Sequence, residues 1–241
     1  MVIVKVKHFS SKPSKINGCK SSLISIVLLN VWVYNVVIDN QTLKVNTMKQ
    51  AKVLNEAEIK RVKAILQTRR YAERDNAMFD MTLFAGLRAC ELQALLVKNV
   101  YQEDGTVRDS FQLSAHQTKG NKAQEVFVAP KLARTLKQYY NYLARNERSI
   151  QPNKPLFQSQ KGGALDVQAI INLFIKLYRD SGINGASSHS GRRTAITVMA
   201  DHSINARVIQ AFARHSHLNT TQRYIDINAS KVNKALASVF G

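Results

Sequence analysis

Apolar residues recur at helical spacing along most of the chain from Val53 to its end, and this periodicity constrains the fold more than any other feature. An apolar residue at every third or fourth position gives a helix one buried face. Asn55 followed by Glu58 has the spacing of a capping box and predicts the start of the first helix. Further helices are predicted over residues 74–84, 87–96, 130–148, 166–180, 205–213, 217–227 and 230–239, with another that begins near His189. The chain is therefore predicted to be mostly helical.

A short stretch between these helices alternates apolar and polar residues instead. Alternation with a period of two is typical of strands, and it predicts three of them, over residues 97–101, 106–114 and 125–128. Turn signals at Glu103-Asp104-Gly105 and at residues 118–122 join them, so neighbouring strands are expected to run antiparallel. The predicted fold class is α+β, mostly helical, with a small three-stranded antiparallel sheet.

Residues 1–47 differ from the rest of the chain, because they contain six lysines, one aspartate and no arginine, a charge of 6 − 1 = +5. The apolar run over residues 23–38 is shorter than the roughly 20 residues that a membrane-spanning helix needs. No small-residue cleavage site of a signal peptide follows it. Three interpretations stay open: a strand-like segment, a disordered segment, or upstream sequence wrongly included before a true start at Met48. We predict a domain boundary here, with one domain over residues 48–241.

Positive charge extends well beyond this segment. The formal net charge is +19, so residues 48–241 carry 19 − 5 = +14. Charge of this kind on a folded domain favours a polyanionic partner, of which nucleic acid is the usual one. Cys19 and Cys90 form no metal-like cluster, which fits a reduced, cytoplasmic protein. The sequence has no phosphate-binding loop, zinc-protease motif or calcium loop, so neither a cofactor nor a metal is expected.

One segment, residues 187–224, combines histidines, arginines and a tyrosine. His189 and Arg192 are three residues apart and would share one face of a helix. His215 precedes Tyr224 by nine residues. A single histidine or tyrosine is usually structural, but the combination suits attack on a phosphodiester. The phenol supplies the nucleophile, and fixed positive charge stabilises the extra negative charge of the transition state.

These motifs resemble those of the tyrosine recombinase, or phage integrase, family. The family's His-x-x-Arg motif matches His189 and Arg192. Its histidine followed nine residues later by the tyrosine of a T-T-Q-x-Y run matches His215 and Tyr224. The resemblance therefore assigns to this segment the second and third motifs of a tyrosine recombinase catalytic domain.

The upstream family motifs are also present. An arginine in G-L-R-x-x-E-L matches Arg88, with Glu91 following, and a lysine on a β-hairpin matches Lys119. By itself, a lysine at a hairpin tip is usually part of a solvated turn. The resemblance covers roughly residues 52–240. One position departs from the family pattern, because Arg214 stands where glycine usually precedes the motif histidine, and this bears on the backbone at that point.

The resemblance implies an enzyme that cuts and rejoins duplex DNA. Its tyrosine attacks a backbone phosphate, forms a 3′-phosphotyrosyl link and frees a 5′-hydroxyl, so one phosphoester replaces another without an external energy source. The roles that it implies are Tyr224 as nucleophile, Arg88 and Arg192 as phosphate ligands, Lys119 as proton donor to the leaving oxygen, His189 as acceptor of the phenol proton, His215 as hydrogen-bond partner of the phosphate, and Glu91 as a buried orienting residue.

Three further basic residues, Arg193, Lys122 and Arg223, are candidate DNA contacts, with Arg193 expected to point away from the His189–Arg192 face. The expected partners are double-stranded DNA, other protomers in a dimeric or tetrameric synapse, and accessory DNA-bending proteins, in the service of a mobile genetic element. Two alternatives stay open. One is relaxation of DNA in the manner of a type IB topoisomerase, and the other is a non-catalytic, DNA-binding remnant of an integrase.

Overall fold

The computed structural model describes residues 36–39, 42–45, 50–117, 122–146, 150–225 and 229–240. The chain divides into two compact units, Met1–Lys49 and Gln50–Gly241. In the first unit, strand β1 (Val36–Asp39) pairs antiparallel with strand β2 (Thr42–Val45), with Val36 opposite Val45. The rest of the apolar run over residues 23–38 lies outside the described residues, so the three interpretations of residues 1–47 stay predictions.

The second unit is mostly helical, as the apolar periodicity predicts. Its helices are α1 (Glu56–Gln67), α2 (Ala72–Phe84), α3 (Ala89–Ala94), α4 (Val97–Val100), α5 (Pro130–Asn146), α6 (Val167–Asp180), α7 (Ser190–Asp201), α8 (Ala206–Ala213), α9 (Leu218–Gln222) and α10 (Ala229–Phe240). Within the described residues, none of the helices is both long and apolar enough to cross a membrane.

The small antiparallel sheet of this unit is formed by strand β3 (Ser110–Leu113) and strand β4 (Gln124–Phe127). Phe111 and Val126 face each other across the pair and are both buried. The fold class is therefore confirmed as mostly helical with a small antiparallel sheet. The described residues contribute two strands to this sheet, and the connection at residues 118–121 lies outside them.

The predicted strand over residues 97–101 is wrong, because Val97–Val100 is one helical turn. The Asn99 side chain accepts a hydrogen bond from the Leu96 N–H at 2.8 Å and so starts that turn. Of residues 97–101, Tyr101 alone takes part in an isolated antiparallel bridge, which it makes to Val107. A short apolar run fits both periodicities, and here the local side-chain hydrogen bond favours the helix.

Helix α2 lies at the centre of the core and packs against α5 and α7. Ala77, Met78, Phe79 and Met81 have no exposed surface. Some polar residues of α2 are buried as well, and Asp80 shows how they find partners: it accepts from the Thr135 hydroxyl at 2.6 Å and pairs with Lys63. Satisfied polar groups of this kind let a helix be enclosed on all sides.

The entry to α1 is tied to α7. The capping box predicted at Asn55 is present: the Asn55 side chain accepts from the Glu58 N–H at 2.8 Å, and Glu58 accepts from the Asn55 N–H at 3.0 Å. The preceding residue, Leu54, is buried and donates its N–H to the Thr194 hydroxyl at 2.8 Å. Thr194 belongs to α7, the helix that carries the His-x-x-Arg motif.

Candidate active site

Arg88 is placed by the turn between α2 and α3. Gly86, with φ +60°, adopts a left-handed conformation that glycine takes without strain, and the chain there turns out of α2. Arg88 follows as the residue that precedes α3, and its side chain is 24% exposed. Its Nη1 donates to Glu91 Oε1 at 2.5 Å, and its backbone N–H donates to Glu91 Oε2 at 2.9 Å. A partly open guanidinium is therefore held at the rim of the core.

Glu91 is fully buried and serves two arginines. Besides Arg88, its carboxylate accepts from Arg214 Nη2 at 2.9 Å. Burial raises the pKa of Glu91, but the charges of Arg214 and Arg88 and the hydrogen bonds from Arg88 outweigh it, so the pKa lies below its ordinary value. Glu91 is thus an anion at neutral pH, as its predicted orienting role requires.

Arg192 lies in the first turn of α7 and is buried. It donates from Nη1 to the Gly86 carbonyl and from Nη2 to the Ala213 carbonyl, so it joins the turn after α2 to the end of α8. Burial and the nearby charges of Arg88 and Arg214 lower the pKa of Arg192 to about 9. Arg192 therefore stays charged at neutral pH.

His215 lies between α8 and α9. Its Nδ1 is 2.9 Å from the Thr221 hydroxyl oxygen, and its ring is 6.2 Å from that of Tyr224, at an interplanar angle of 21°. Burial lowers the pKa of His215 to about 4, with the charges of Arg192, Arg88 and Arg214 acting in the same direction. The imidazole is therefore neutral at pH 7.

Tyr224 lies in a turn, although the sequence predicts a helix over residues 217–227. Helix α9 ends at Gln222, and the Tyr224 N–H donates to the Thr221 carbonyl at 3.0 Å. The tyrosine is half-buried and packs against the small cluster that includes Ile209 and Ala213. A side chain in a turn at the end of a short helix can move without unfolding a long element.

The structure places Arg193 differently from the sequence-based prediction. Helical spacing predicts that Arg193 points away from His189 and Arg192, yet its guanidinium lies 5.6 Å from the centre of the Tyr224 ring. Its Nε is buried and has no hydrogen-bond partner among the described residues. Arg193 lies near Tyr224 because the turn after α9 brings the tyrosine close to α7. Such a tertiary contact cannot be predicted from the spacing of residues along one helix.

Arg192, Arg193 and Tyr224 meet at a pocket of about 290 Å³, whereas Arg88, Glu91 and His215 are not among the residues that line it. Its lining includes His189, Arg192, Arg193, Thr220, Arg223 and Tyr224. Arg223, a candidate DNA contact, therefore lies at the same pocket, whereas Lys122 is exposed at the base of the β3–β4 connection. Lys119 lies outside the described residues. In the part of the chain that the structure describes, no group of three or more His, Cys, Asp or Glu could hold a metal ion.

Arg214 is the main site residue to which the motifs assign no role. Its side chain is only 3% exposed and reaches Glu91, as described above. The signal available in the sequence was its position directly before His215, in place of the family's usual glycine. The missing glycine predicts an effect on the backbone conformation, whereas in the structure the Arg214 side chain itself contacts Glu91.

Known proteins resemble this chain in sequence and fold. The sequence model of the Phage integrase family matches residues 52–231. Tyrosine recombinase XerC of Caldanaerobacter subterraneus subsp. tengcongensis is 25% identical over 169 residues, 69% of this chain and 45% of the relative. Tyrosine recombinase XerD of Pseudomonas putida is 28% identical over 188 residues, 76% of this chain and 60% of the relative. The chain thus spans about half the length of the curated relatives that it matches.

Solved structures show the same fold. The crystal structure of XerA recombinase has a TM-score of 0.62 at 22% identity, over 80% of this chain and 66% of that one. XerH site-specific recombinase, bound to its palindromic difH substrate in a post-cleavage complex, has a TM-score of 0.60 at 21% identity, over 84% of this chain and 57% of that one.

Proposed function

Because the chain belongs to the phage integrase family, we propose that it is a site-specific DNA recombinase that cleaves and rejoins DNA through a 3′-phosphotyrosyl intermediate. The observation that carries the proposal is the pocket in which Tyr224 shares the lining with His189, Arg192 and Arg193. A phenol beside fixed cationic donors is the arrangement that attack on a phosphodiester requires.

In this mechanism Arg88 and Arg192 bind the non-bridging oxygens of the scissile phosphate. A guanidinium has five N–H donors. The Arg192 guanidinium donates to two backbone carbonyls, and the Arg88 guanidinium donates once to Glu91, so both retain N–H donors for a phosphate. The carbonyl and carboxylate contacts hold each guanidinium in place before the substrate binds, which avoids reorganisation during the reaction.

Tyr224 is the proposed nucleophile. Its oxygen forms a bond to phosphorus while the bond from phosphorus to the 5′-oxygen breaks. The phenol proton passes to His189, and Lys119 supplies a proton to the leaving 5′-oxygen. When Nδ1 of His215 accepts from the Thr221 hydroxyl, Nε2 carries the ring proton and can donate to a phosphate oxygen. Reversal of the same steps rejoins a strand.

Duplex DNA is the proposed substrate. The charge of +14 on residues 48–241 suits a polyanion, and XerH, a structural neighbour, was solved bound to its DNA substrate. Arg193 and Arg223, which line the pocket, would contact the DNA backbone there, and Lys122 would contact it from the hairpin. We place this activity in the cytoplasm, on the DNA of a mobile genetic element.

Recombination between two sites requires more than one protomer. Helix α10 carries exposed apolar side chains, Val232, Leu236, Val239 and Phe240, on a short terminal helix. Apolar surface of this kind suits contact with a neighbouring protomer in a dimer or tetramer on DNA. Accessory DNA-bending proteins would help to bring the two sites together.

The test is a suicide substrate, a duplex nicked beside the scissile phosphate, built from inverted repeats in the DNA that flanks the gene. The native chain should form a covalent adduct on Tyr224, detected by denaturing electrophoresis and peptide mapping. Tyr224→Phe should bind the same duplex and form no adduct, since phenylalanine lacks the attacking oxygen. Tyr142→Phe is the matched control, because Tyr142 stacks on Tyr139 in α5, and it should form the adduct normally.

Other outcomes identify the alternatives. An adduct on another residue, or one that survives in Tyr224→Phe, would contradict the nucleophile assignment. Relaxation of supercoiled plasmid without specific sites would indicate topoisomerase-like activity. DNA binding without any adduct from the native chain would indicate a non-catalytic remnant.

A further inference from the structure

Arg214 occupies a backbone position that disfavours its own side chain. It ends α8 with φ 52° and ψ 46°, in the left-handed region that costs an L residue energy and that glycine adopts freely. The Arg214 N–H donates to the Ala211 carbonyl and the His215 N–H to the Gln210 carbonyl, both at 3.1 Å. This pair of bonds is a Schellman motif, so the helix ends as it would with glycine.

The side chain of Arg214 then crosses from α8 to the turn between α2 and α3. It donates to the Ala85 carbonyl at 3.0 Å, the Gly86 carbonyl at 2.9 Å and Glu91 Oε2 at 2.9 Å. Its side chain is 3% exposed and that of Glu91 is fully buried, so this ion pair is shielded from water. Charge-assisted hydrogen bonds in such a setting are the strong ones.

The Glu91 carboxylate is shared between two arginines. Its Oε1 accepts from the Arg88 side chain, whereas its Oε2 accepts from the Arg88 backbone and from Arg214. Without Arg214, the Arg88 guanidinium would be the one remaining side chain in contact with the buried anion among the described residues. A buried carboxylate with one partner binds that partner tightly and cancels its charge.

We propose that Arg214 is a positioning residue of the phosphate site, which compensates Glu91 and so leaves the Arg88 guanidinium free to bind the scissile phosphate. This inference rests on the proposed function, since it concerns the same site. It also accounts for an arginine at a position where the backbone favours glycine.

The experiment is a double-mutant cycle with Arg214→Gly, Glu91→Gln and the double variant, read out as the single-turnover rate of adduct formation at saturating protein. Arg214→Gly relieves the backbone and leaves Glu91 uncompensated, so its cleavage rate should fall about tenfold or more. Its affinity for the duplex should change much less, because Arg214 is buried. In the Glu91→Gln background, Arg214→Gly should cause no slowing, because there is no carboxylate left to compensate.

Two further variants complete the design. Arg207→Ala removes the same charge from the exposed start of α8 and should cleave at the native rate. Arg214→Lys keeps a positive charge but loses the planar fork, so its rate should lie between those of the native chain and Arg214→Gly. If Arg214→Gly alone does not fold, Glu91→Gln in the same chain should restore folding, and failure to do so would overturn the inference.

The outcomes separate the two proposals. If the native chain forms an adduct and Arg214→Gly forms it equally fast, only the role of Arg214 is overturned. The same follows if Arg214→Gly slows cleavage equally in both backgrounds, which is the result expected of a merely structural residue. If the native chain forms no adduct, the proposed function fails, and the role of Arg214 fails with it.

Discussion

Burial and the charges of nearby arginines hold His215 in its neutral form. Its pKa of about 4 lies below the 6.5 of a free histidine, chiefly because burial and then the charges of Arg192, Arg88 and Arg214 disfavour the imidazolium. A neutral imidazole adds no charge repulsion to the site and can still donate one hydrogen bond. The arginines therefore supply the positive charge of the site, and His215 supplies one hydrogen bond of fixed direction.

This depressed pKa predicts a pH-dependent stability. As pH falls from about 6.5 towards 4, His215 becomes protonated in the unfolded chain but stays neutral in the folded chain. The folded state therefore loses stability relative to the unfolded state across that pH range. His215→Gln should reduce the fall in the melting temperature between pH 7 and pH 4. His217→Gln, at an exposed neighbouring position, should leave it unchanged. Identical pH profiles for the native chain and His215→Gln would contradict the assignment.

At the scale of single residues, the sequence predicted partners along one helix better than partners across helices. The spacing of His189 and Arg192 predicts that both side chains lie on one side of the helix, and both line one pocket. The same spacing predicts the wrong orientation for Arg193, because the Tyr224 ring that it contacts comes from a different part of the chain. The same holds for Arg214, whose partner Glu91 is 123 residues away. Contacts between distant segments follow from packing, which local spacing does not record.

At the scale of elements, the approach of α7 to α2 depends on one glycine. A Cβ added to Gly191 would lie 2.2 Å from Thr82 Oγ1 and 3.3 Å from the Thr82 backbone carbon. Gly191 stands between His189 and Arg192, so its close contact sets how deeply the whole His-x-x-Arg turn enters the core.

Gly191→Ala should therefore destabilise the fold by about 1–3 kcal/mol through overpacking, and it should also slow cleavage by displacing Arg192. Gly163→Ala is the matched control, because a Cβ there meets nothing within 4 Å. Urea denaturation of both variants measures the difference in the free energy of unfolding. Equal midpoints would mean that α2 and α7 separate easily, contrary to the packing described.

Long, strongly periodic elements were predicted well. Helix α6 was predicted over residues 166–180 and spans Val167–Asp180, and the capping box of α1 was found as expected. The errors fall on short segments. The strand predicted over residues 97–101 is the helical turn α4, and α9 ends five residues before its predicted limit of 227. A few residues carry too little periodicity to outweigh local hydrogen bonds.

At the scale of the whole molecule, charge and motif location favour the second unit as the part that carries the proposed activity. The family match begins at residue 52, and the described contacts of the site come from residues beyond that point, apart from Gln50 and Ala51 at the rim of the pocket. Residues 48–241 retain +14 of the net charge of +19. Removal of residues 1–47 should therefore leave most of the electrostatic attraction to DNA, and with it the steep loss of affinity as salt rises.

A chain that starts at Met48 should consequently keep a single cooperative urea transition and still form the Tyr224 adduct. A deeper truncation that starts at Glu56 is the matched comparison. It removes the buried Leu54, whose N–H bonds to Thr194, and the cap of α1 at Asn55. Loss of one buried leucine and one helix cap should cost at least about 2 kcal/mol of unfolding free energy. If the shorter truncation already abolished cooperative unfolding, residues 1–47 would be an integral part of the catalytic fold, and the boundary at Met48 would be wrong.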